Sequence, residues 1–345
     1  MTEFSWSGVL GPLTGGSDLT QEQAHAAMTE IMAGRAEPSQ IAALIVSLRA
    51  KGETVDEMLG LVTAMYDVAV TVDVGVPVVD TAGTGGDSSG TFNISTTAAL
   101  IAAGAGAKVA KHGNRAASSR TGSADVLEEL GVPLDLEPDH VARMVSEAGF
   151  GFFFAPRFHP AMRFAAPVRK ELGVPTVFNF LGPLANPARA KRQVIGVADA
   201  RMAERMVGVL QRLGSEMALV FYGEDGLDEL TTVATSFIYR LKDGAITHAE
   251  FTPSDFGVEP ASLSDLLGGD AAENAAILRG ILEGDAGPRR DIALVNAAAA
   301  IVAAGLAVGF EDGMEAAAAA VDSGAASGVL DSVIAMSANG AERGN

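Results

Sequence analysis

The sequence predicts an α/β protein: a small N-terminal helical domain, then a larger α/β domain built on a mainly parallel central sheet. Three observations predict it. Residues from about Asp18 to Val70 place apolar side chains three and four apart and contain no convincing strand. After Asp73, short Val-rich runs alternate with helical stretches, the pattern of βαβ units in a parallel sheet. The chain has 345 residues, 48% of them hydrophobic, which is long enough for two ordinary domains with ample core.

Taken in order, "LTQEQAHAAMTEIMAG", "PSQIAALIVSLRAKG" and "TVDEMLGLVTAMYDVAV" each open on a polar cap or turn residue and read as helices. "VPVVD" reads as a buried strand, and "STTAALIAAGAGA" as a helix starting near Ser95 or Thr96. Further strands are expected at "AKVAKHG", "FGFFFAP", "QVIGVAD" and "MALVFYG", with helices between them at "SADVLEELG", "DHVARMVSEAG" and "RMAERMVGVLQRLG". "TSFIYRLKDGAITHAEFTP" reads as an antiparallel hairpin turning at Asp243-Gly244. "HPAMRFAAPVRKELG" is again helical, and the C-terminal third is alanine-rich helix. The run "IALVNAAAAIVAAGLAVGF" from Ile292 has the length of a membrane span. Its alanines, Asn296 and two interior glycines point instead to a closely packed buried helix. No repeat of solenoid length is visible.

Cysteine is absent, which excludes a disulfide framework and any thiolate nucleophile or ligand. The start "MTEFSWSGVL" lacks the basic and apolar regions of a signal peptide, so a cytoplasmic protein is expected. The net charge of −19 argues against a general nucleic-acid binder, because backbone affinity needs clustered Lys and Arg. Those residues are unevenly spread: none lies between Lys51 and Lys108, and twelve of the 24 lie from Lys108 to Arg192. "KVAKHGNRAASSR" and "RFHPAMRFAAPVRK" each carry four positive residues and no acid. An acidic body with a cationic middle suits a small polyanionic substrate.

Between the first predicted strand and its helix lies "DTAGTGGDSSGTFNIST", Asp80 to Thr96. Glycine admits positive φ and close backbone approach, so such a turn can aim several N–H groups at one anion, beside the amides of a helix N-terminus. No Lys-Ser or Lys-Thr follows the glycines, so this is not a P-loop, and Ser88 stands where the dinucleotide fingerprint needs its third glycine. "KHGNRAASSRTGSADVLEELG", from Lys111, follows a strand end, where open α/β sheets bind ligands; Lys111, Arg115 and several hydroxyls could surround a second phosphate. "GEDGLDEL" sets Asp228 beside Glu229 after a strand, an acidic pair that could hold Mg²⁺ partly through substrate oxygens. From the residues alone, the glycine stretch remains either a phosphate site or an ordinary capped loop, and the acidic pair either a metal site or a solvated helix start.

"GTGGD" with "FNIST", "KHGNR" with "SSRTGSAD", "FAPRFHPAMR", "VRKELG", "VFNFLGPLANP" and "DGLDEL" together closely resemble the anthranilate phosphoribosyltransferases of tryptophan biosynthesis. The likeness runs in order over nearly the whole chain, to "GGDAAENA" and "LVNAAAAI". It implies a nucleoside phosphorylase/phosphoribosyltransferase-like fold: a helical domain of residues 1–72, joined by about 160–190, packed on an α/β domain of residues 73–345, and a homodimer through the helical domain. It implies transfer of a phosphoribosyl group from phosphoribosyl pyrophosphate to the amine of anthranilate, with Mg²⁺, and neither nucleic-acid nor membrane partners.

Carried over residue by residue, the resemblance assigns the donor to Gly83, Gly86, Asp87, Thr91, Asn93, Ile94, Ser95 and Thr96, with Lys111, His112, Gly113, Asn114, Arg115, Ala116, Ala117, Ser118, Ser119 and Ser123. Gly83, Asn114 and Arg169 would meet anthranilate, and Ser95, Asp228 and Glu229 would serve the metal. No indispensable general base is expected; His112 and His159 are the candidates for proton handling or ring contact, with a structural role open for each. His25, His140 and His248 fall on predicted surface. Two departures from the family pattern stand out: Tyr222 where relatives often have His, and Phe180 where Leu or Ile is common. Both are expected to be packing changes, and either would bear on acceptor preference if it bordered the aryl pocket. Two rival readings are a pyrimidine nucleoside phosphorylase-like enzyme and a non-enzymatic nucleic-acid-binding relative; the latter fits poorly with an acidic chain that keeps Ser95, Asp228 and Glu229.

Overall fold

The computed structural model describes residues 4–116 and 120–343. Four helices come first: α1 (Trp6–Thr14), α2 (Gln21–Met32), α3 (Pro38–Lys51) and α4 (Val55–Asp67). Sequence periodicity finds the last three and misses α1, whose Gly8, Gly11 and Pro12 carry no helical signature; Val9 and Leu13 nevertheless bury against the others. Thr20 and Thr54 start α2 and α4 with reciprocal caps from Gln23 and Glu57. Glu57 is fully buried because its carboxylate also accepts from the Leu19 amide at 2.9 Å and from Lys51 at 3.0 Å.

The α/β part follows as β1 (Val79–Gly83), α5 (Ile94–Gly104), β2 (Val109–Gly113), α6 (Ser123–Glu129), α7 (Pro138–Ala148) and β3 (Phe150–Phe154). The segment after β3 is broken into α8 (Ala155–Phe158), a 3₁₀ turn (Pro160–Phe164), α9 (Ala166–Leu172) and α10 (Val177–Leu184). Pro160 and Pro167 start the 3₁₀ turn and α9, which divides the helix expected over His159–Gly173, while α8 takes Ala155 and Pro156 from the expected end of β3. Then come β4 (Arg192–Gly196), α11 (Ala200–Arg212), β5 (Met217–Gly223) and the hairpin β6 (Ser236–Lys242) and β7 (Ala245–Phe251). Asp243 and Gly244 both have positive φ, 52° and 77°, as a two-residue hairpin turn requires. The chain ends in α12 (Ala271–Leu282), α13 (Pro288–Ala304), α14 (Phe310–Asp322) and α15 (Ala325–Arg343).

The seven strands lie in the order β3-β2-β1-β4-β5-β6-β7, parallel from β3 to β5 and antiparallel beyond. Side chains alternate between two cores. Val194, Leu219 and Phe221 face α5 and α12–α15, while Ile195, Ala218 and Val220 face α11 and the N-terminal helices. Residues of the 3₁₀ turn, α9 and α10, among them Ala161, Val168 and Phe178, belong to this second core. The stretch from Ile292 is α13, buried from Ile292 to Ala303. Among the described residues no single helix is long and apolar enough to cross a membrane.

The chain runs from central β1 outward to β2 and β3, then returns to β1's other side for β4 and β5. The strand order therefore reverses between β1 and β4, and in open parallel sheets the crevice for ligands forms at the carboxyl end of that point.

Candidate active site

A cleft of about 540 Å³ opens there. Its floor is the turn after β1. The strand reaches Gly83, three residues further than the sequence predicts, because Val76 is exposed and pairing with both neighbours begins at Val79. The turn then passes through positive φ at Gly85 (66°), Gly86 (86°), Ser88 (56°) and Gly90 (70°) before α5 begins.

From the far side of β4 the acidic pair reaches over to this turn. Asp228 Oδ2 accepts from the Gly85 amide at 2.7 Å, and Glu229 Oε1 accepts from the Ser95 amide at 3.1 Å. The approach depends on missing side chains: a Cβ on Gly83 would lie 2.5 Å from Asp228 Oδ2, and one on Gly196 would collide with the Asp228 carbonyl. Burial, then the charge of Asp87, pushes the Asp228 carboxyl up to about 7; burial and the charge of Asp228 hold Glu229 well above the usual carboxylate range. Lys111, only 1% exposed on β2, donates to the Thr81 carbonyl at 2.6 Å and to Ser95 Oγ at 3.2 Å. Its pKa is lowered by burial against the opposing pull of Asp80, Glu229 and Asp228.

Buried acids that repel one another, beside a serine hydroxyl, form a hard-oxygen donor set that a divalent cation would relieve. Among the described residues no group of three His, Cys, Asp or Glu side chains could hold a metal by itself. The donors fit a cation such as Mg²⁺, which keeps water and takes phosphate oxygens from a substrate.

The donor residues expected from sequence otherwise converge on the same cleft. Gly83, Gly86, Asp87, Thr91, Asn93, Ile94, Ser95, Lys111, His112, Gly113, Asn114, Arg115, Ala116 and Ser123 all line it. Thr96 is fully buried behind this wall, its hydroxyl on Ser123 Oγ at 3.0 Å. Ala117, Ser118 and Ser119 lie outside the described residues. Arg115 lines the cleft, yet its guanidinium is taken by Glu128 at 2.7 and 3.0 Å and by Asp125 at 3.0 Å. Asp125 also accepts from the amides of Ala116 and Gly122, at 3.0 and 2.9 Å, so it shapes the second loop.

The opposite wall mixes apolar side chains with the half-buried Arg169 and the exposed Arg163. Arg169, on α9, lies over the Phe178 ring at 5.1 Å; burial lowers its pKa, and among the described residues no carboxylate pairs with it. Met65, Pro156, Met162, Arg163, Phe178 and Asn179 also line the cleft. Sequence reasoning assigned none of these, although "FAPRFHPAMR" and "VFNFLGPLANP" hold all but Met65. Phe180 points away, buried beneath Arg49 at 5.1 Å, and Tyr222 stacks on Phe237 at 4.9 Å; neither lines the cleft.

His112 and His159 lie side by side in the wall, ring centroids 5.2 Å apart. His112 Nδ1 donates to the Gly182 carbonyl at 3.2 Å and His159 Nε2 to the Ala185 carbonyl at 2.8 Å. Burial, then His159, pushes the His112 imidazole down to about 3, and burial also lowers His159. Both rings are therefore neutral near pH 7. The cleft as a whole presents backbone amides, a helix N-terminus and oxygen ligands at one end and a guanidinium over an aromatic ring at the other. Such a site suits a polyanion beside an aromatic carboxylate.

Comparison with known proteins agrees in sequence and structure. Residues 8–69 match the helical bundle domain of a glycosyl transferase family, and residues 75–327 match the a/b domain. The chain is 53% identical over 327 residues to the anthranilate phosphoribosyltransferase of Roseiflexus sp. (strain RS-1), covering 94% of this chain and 96% of the relative. The crystal structure of the anthranilate phosphoribosyltransferase from Thermus thermophilus superposes with a TM-score of 0.91 at 42% identity, covering 96% of this chain and 99% of that one. The Saccharomyces cerevisiae enzyme, solved in complex with PRPP and Mg, gives 0.89 at 27% identity, covering 97% and 98%.

Proposed function

Since this chain belongs to the anthranilate phosphoribosyltransferase family, we propose that its cleft transfers the 5-phosphoribosyl group of phosphoribosyl pyrophosphate to the amine of anthranilate, the second step of tryptophan biosynthesis from chorismate. The ribose C1–oxygen bond to diphosphate breaks, a C1–nitrogen bond forms, and the products are N-(5-phosphoribosyl)anthranilate, pyrophosphate and the proton lost from the amine. A homodimer through the helical domain, with residues of about 160–190 counted in that domain, belongs to the same proposal.

The observation that carries it is the convergence, in one cleft, of the glycine turn bound by Asp228, the α5 N-terminus bound by Glu229, and Arg169 over its aromatic ring. As the bond to C1 breaks, positive charge develops on the sugar and negative charge on the leaving diphosphate. Amides of the glycine turn and α5, with the buried Lys111, stabilise that anion. Mg²⁺, held by Ser95, Asp228 and Glu229 with diphosphate oxygens, would supply further neutralisation of the leaving charge.

Arg169 grips the acceptor carboxylate with its planar fork, and Asn114 and Gly83 lie beside the ring. An aryl amine is neutral at pH 7 and needs positioning more than deprotonation, so the neutral His112 and His159, each bonded to a backbone carbonyl, orient the wall. The test is fluorescence loss of anthranilate that requires both phosphoribosyl pyrophosphate and Mg²⁺. Phosphorolysis of thymidine or uridine in place of that reaction would favour the nucleoside phosphorylase reading and overturn this one.

A further inference from the structure

Asn296 is 3% exposed on α13, a helix whose residues from Ile292 to Ala303 are all buried. A carboxamide in such a place costs stability unless its polar atoms are bonded. Its Oδ1 accepts from the Leu230 amide at 3.0 Å, and its Nδ2 donates to the Leu230 carbonyl at 2.9 Å and to the Ile292 carbonyl at 2.9 Å. These three backbone groups fix how the carboxamide is turned, because an amide can only donate and a carbonyl can only accept.

Leu230 is fully buried and belongs to no helix or strand, so its backbone finds both partners in this one side chain, 66 residues away in sequence. It directly follows Glu229. Neighbouring bonds of the same loop close within it: Asp225 accepts from the Leu227 amide at 3.2 Å and from the Thr231 hydroxyl at 2.6 Å, and the Thr231 amide donates to Ser236 Oγ at 2.9 Å. Asn296 instead ties the loop to α13, which packs against α5, β1, β4 and β5. The helix that backs Ser95 therefore also grips the residue next to Glu229. Such a grip has work to do, since the buried Asp228 and Glu229 repel one another and would drift apart on a loose loop.

We propose that Asn296 is a positioning residue for the metal-binding acids: by clasping the backbone of Leu230 it fixes the reach of Asp228 and Glu229 over the glycine turn and the start of α5. The inference rests on the phosphoribosyl-transfer reading of the cleft.

The test compares Asn296→Ser with Ile301→Val, a buried change in the same helix, and melts both. A serine hydroxyl can bond the Ile292 carbonyl but cannot span both backbone groups of Leu230. Asn296→Ser is expected to raise the Mg²⁺ concentration for half-maximal rate about tenfold, as loss of a bond supporting a metal ligand does, while KM for anthranilate stays within about twofold. In the metal-free protein, hydrogen exchange read residue by residue should speed at the Ser95 amide, which Glu229 holds. Ile301→Val should leave both quantities near wild type. An unaltered Mg²⁺ profile, Ser95 exchange at the wild-type rate, or equal shifts in Ile301→Val overturn the proposal. Should Asn296→Ser fail to melt cooperatively, Asn296→Asp decides. It keeps the size of the side chain and an acceptor for the Leu230 amide but loses the two donated bonds, so a raised Mg²⁺ requirement supports the proposal and a wild-type or lower one overturns it. Absence of wild-type turnover removes the phosphoribosyl-transfer reading and this proposal with it; active wild type with a Mg²⁺ profile indifferent to Asn296 removes this proposal alone.

Discussion

Glu229 Oε1 accepts a hydrogen bond from the Ser95 amide at 3.1 Å, across the point where the sheet reverses its strand order. One link therefore ties the acidic pair after β5 to the helix that begins after β1. Asp228 makes the companion link to Gly85, and the pair defines where a cation and a leaving anion meet.

Removing that negative charge has a specific kinetic signature. Asp228→Asn combined with Glu229→Gln keeps the side-chain volumes and should raise the Mg²⁺ concentration for half-maximal rate roughly 10- to 100-fold. Rate measured against Mg²⁺ concentration checks this; an unaltered metal profile removes both residues from the site.

Gly83 separates function from folding. Its added Cβ would meet Asp228 Oδ2, the movable end of a side chain, at 2.5 Å. Gly83→Ala should therefore cost at most about 1 kcal/mol of stability while displacing Asp228 and lowering kcat/KM at least roughly tenfold. Urea unfolding beside steady-state kinetics distinguishes the two effects.

Arg169 lies over Phe178 with no carboxylate partner among the described residues. Arg169→Ala should raise KM for anthranilate at least about tenfold, equivalent to ~1.4 kcal/mol, and leave the donor KM little changed. Arg169→Lys should recover only part, because an ammonium cannot present the planar fork. Equal effects on both substrates would count against the acceptor role.

His112 makes stability depend on pH. Its folded pKa of about 3 lies below the ordinary histidine value, so between pH 6.5 and 3 the unfolded chain binds a proton that the folded protein does not. Stability attributable to His112 is present above pH 6.5 and is lost as pH falls through that window, by about 5 kcal/mol at most. Asp80 acts oppositely: burial raises its carboxyl to about 6, so its contribution favours the folded protein below pH 3.8 and is lost as pH rises to 6. In His112→Asn the larger acid-destabilising contribution is removed, while the lowered His159 still opposes Asp80. Denaturant midpoints compared at pH 7 and pH 4.5 should thus shift toward acid stability in the variant relative to the wild type.

Much of this arrangement is legible in the sequence, for identifiable reasons. Strands such as "FGFFFAP" and "MALVFYG" are short apolar runs bounded by turn residues, and Asp243-Gly244 is a turn whose backbone only a few residue types adopt. The glycine turn and the acidic pair could be named because their chemistry is local. Helix α1 stayed hidden because its burial, not its propensity, makes it a helix. The engagement of Arg115 by Asp125 and Glu128 and the bond from Asn93 to Asn274 were not legible, since contacts 10 to 181 residues apart are made by topology rather than by spacing.

Crystals grown with phosphoribosyl pyrophosphate and Mn²⁺ in place of Mg²⁺ allow the metal to be located by its anomalous scattering. The diphosphate is expected on the amides of the Gly83–Gly86 turn and the start of α5, with manganese beside Ser95 or the Asp228–Glu229 pair. Diphosphate bound elsewhere, with that turn empty, would contradict the assignment of this cleft to phosphoribosyl transfer.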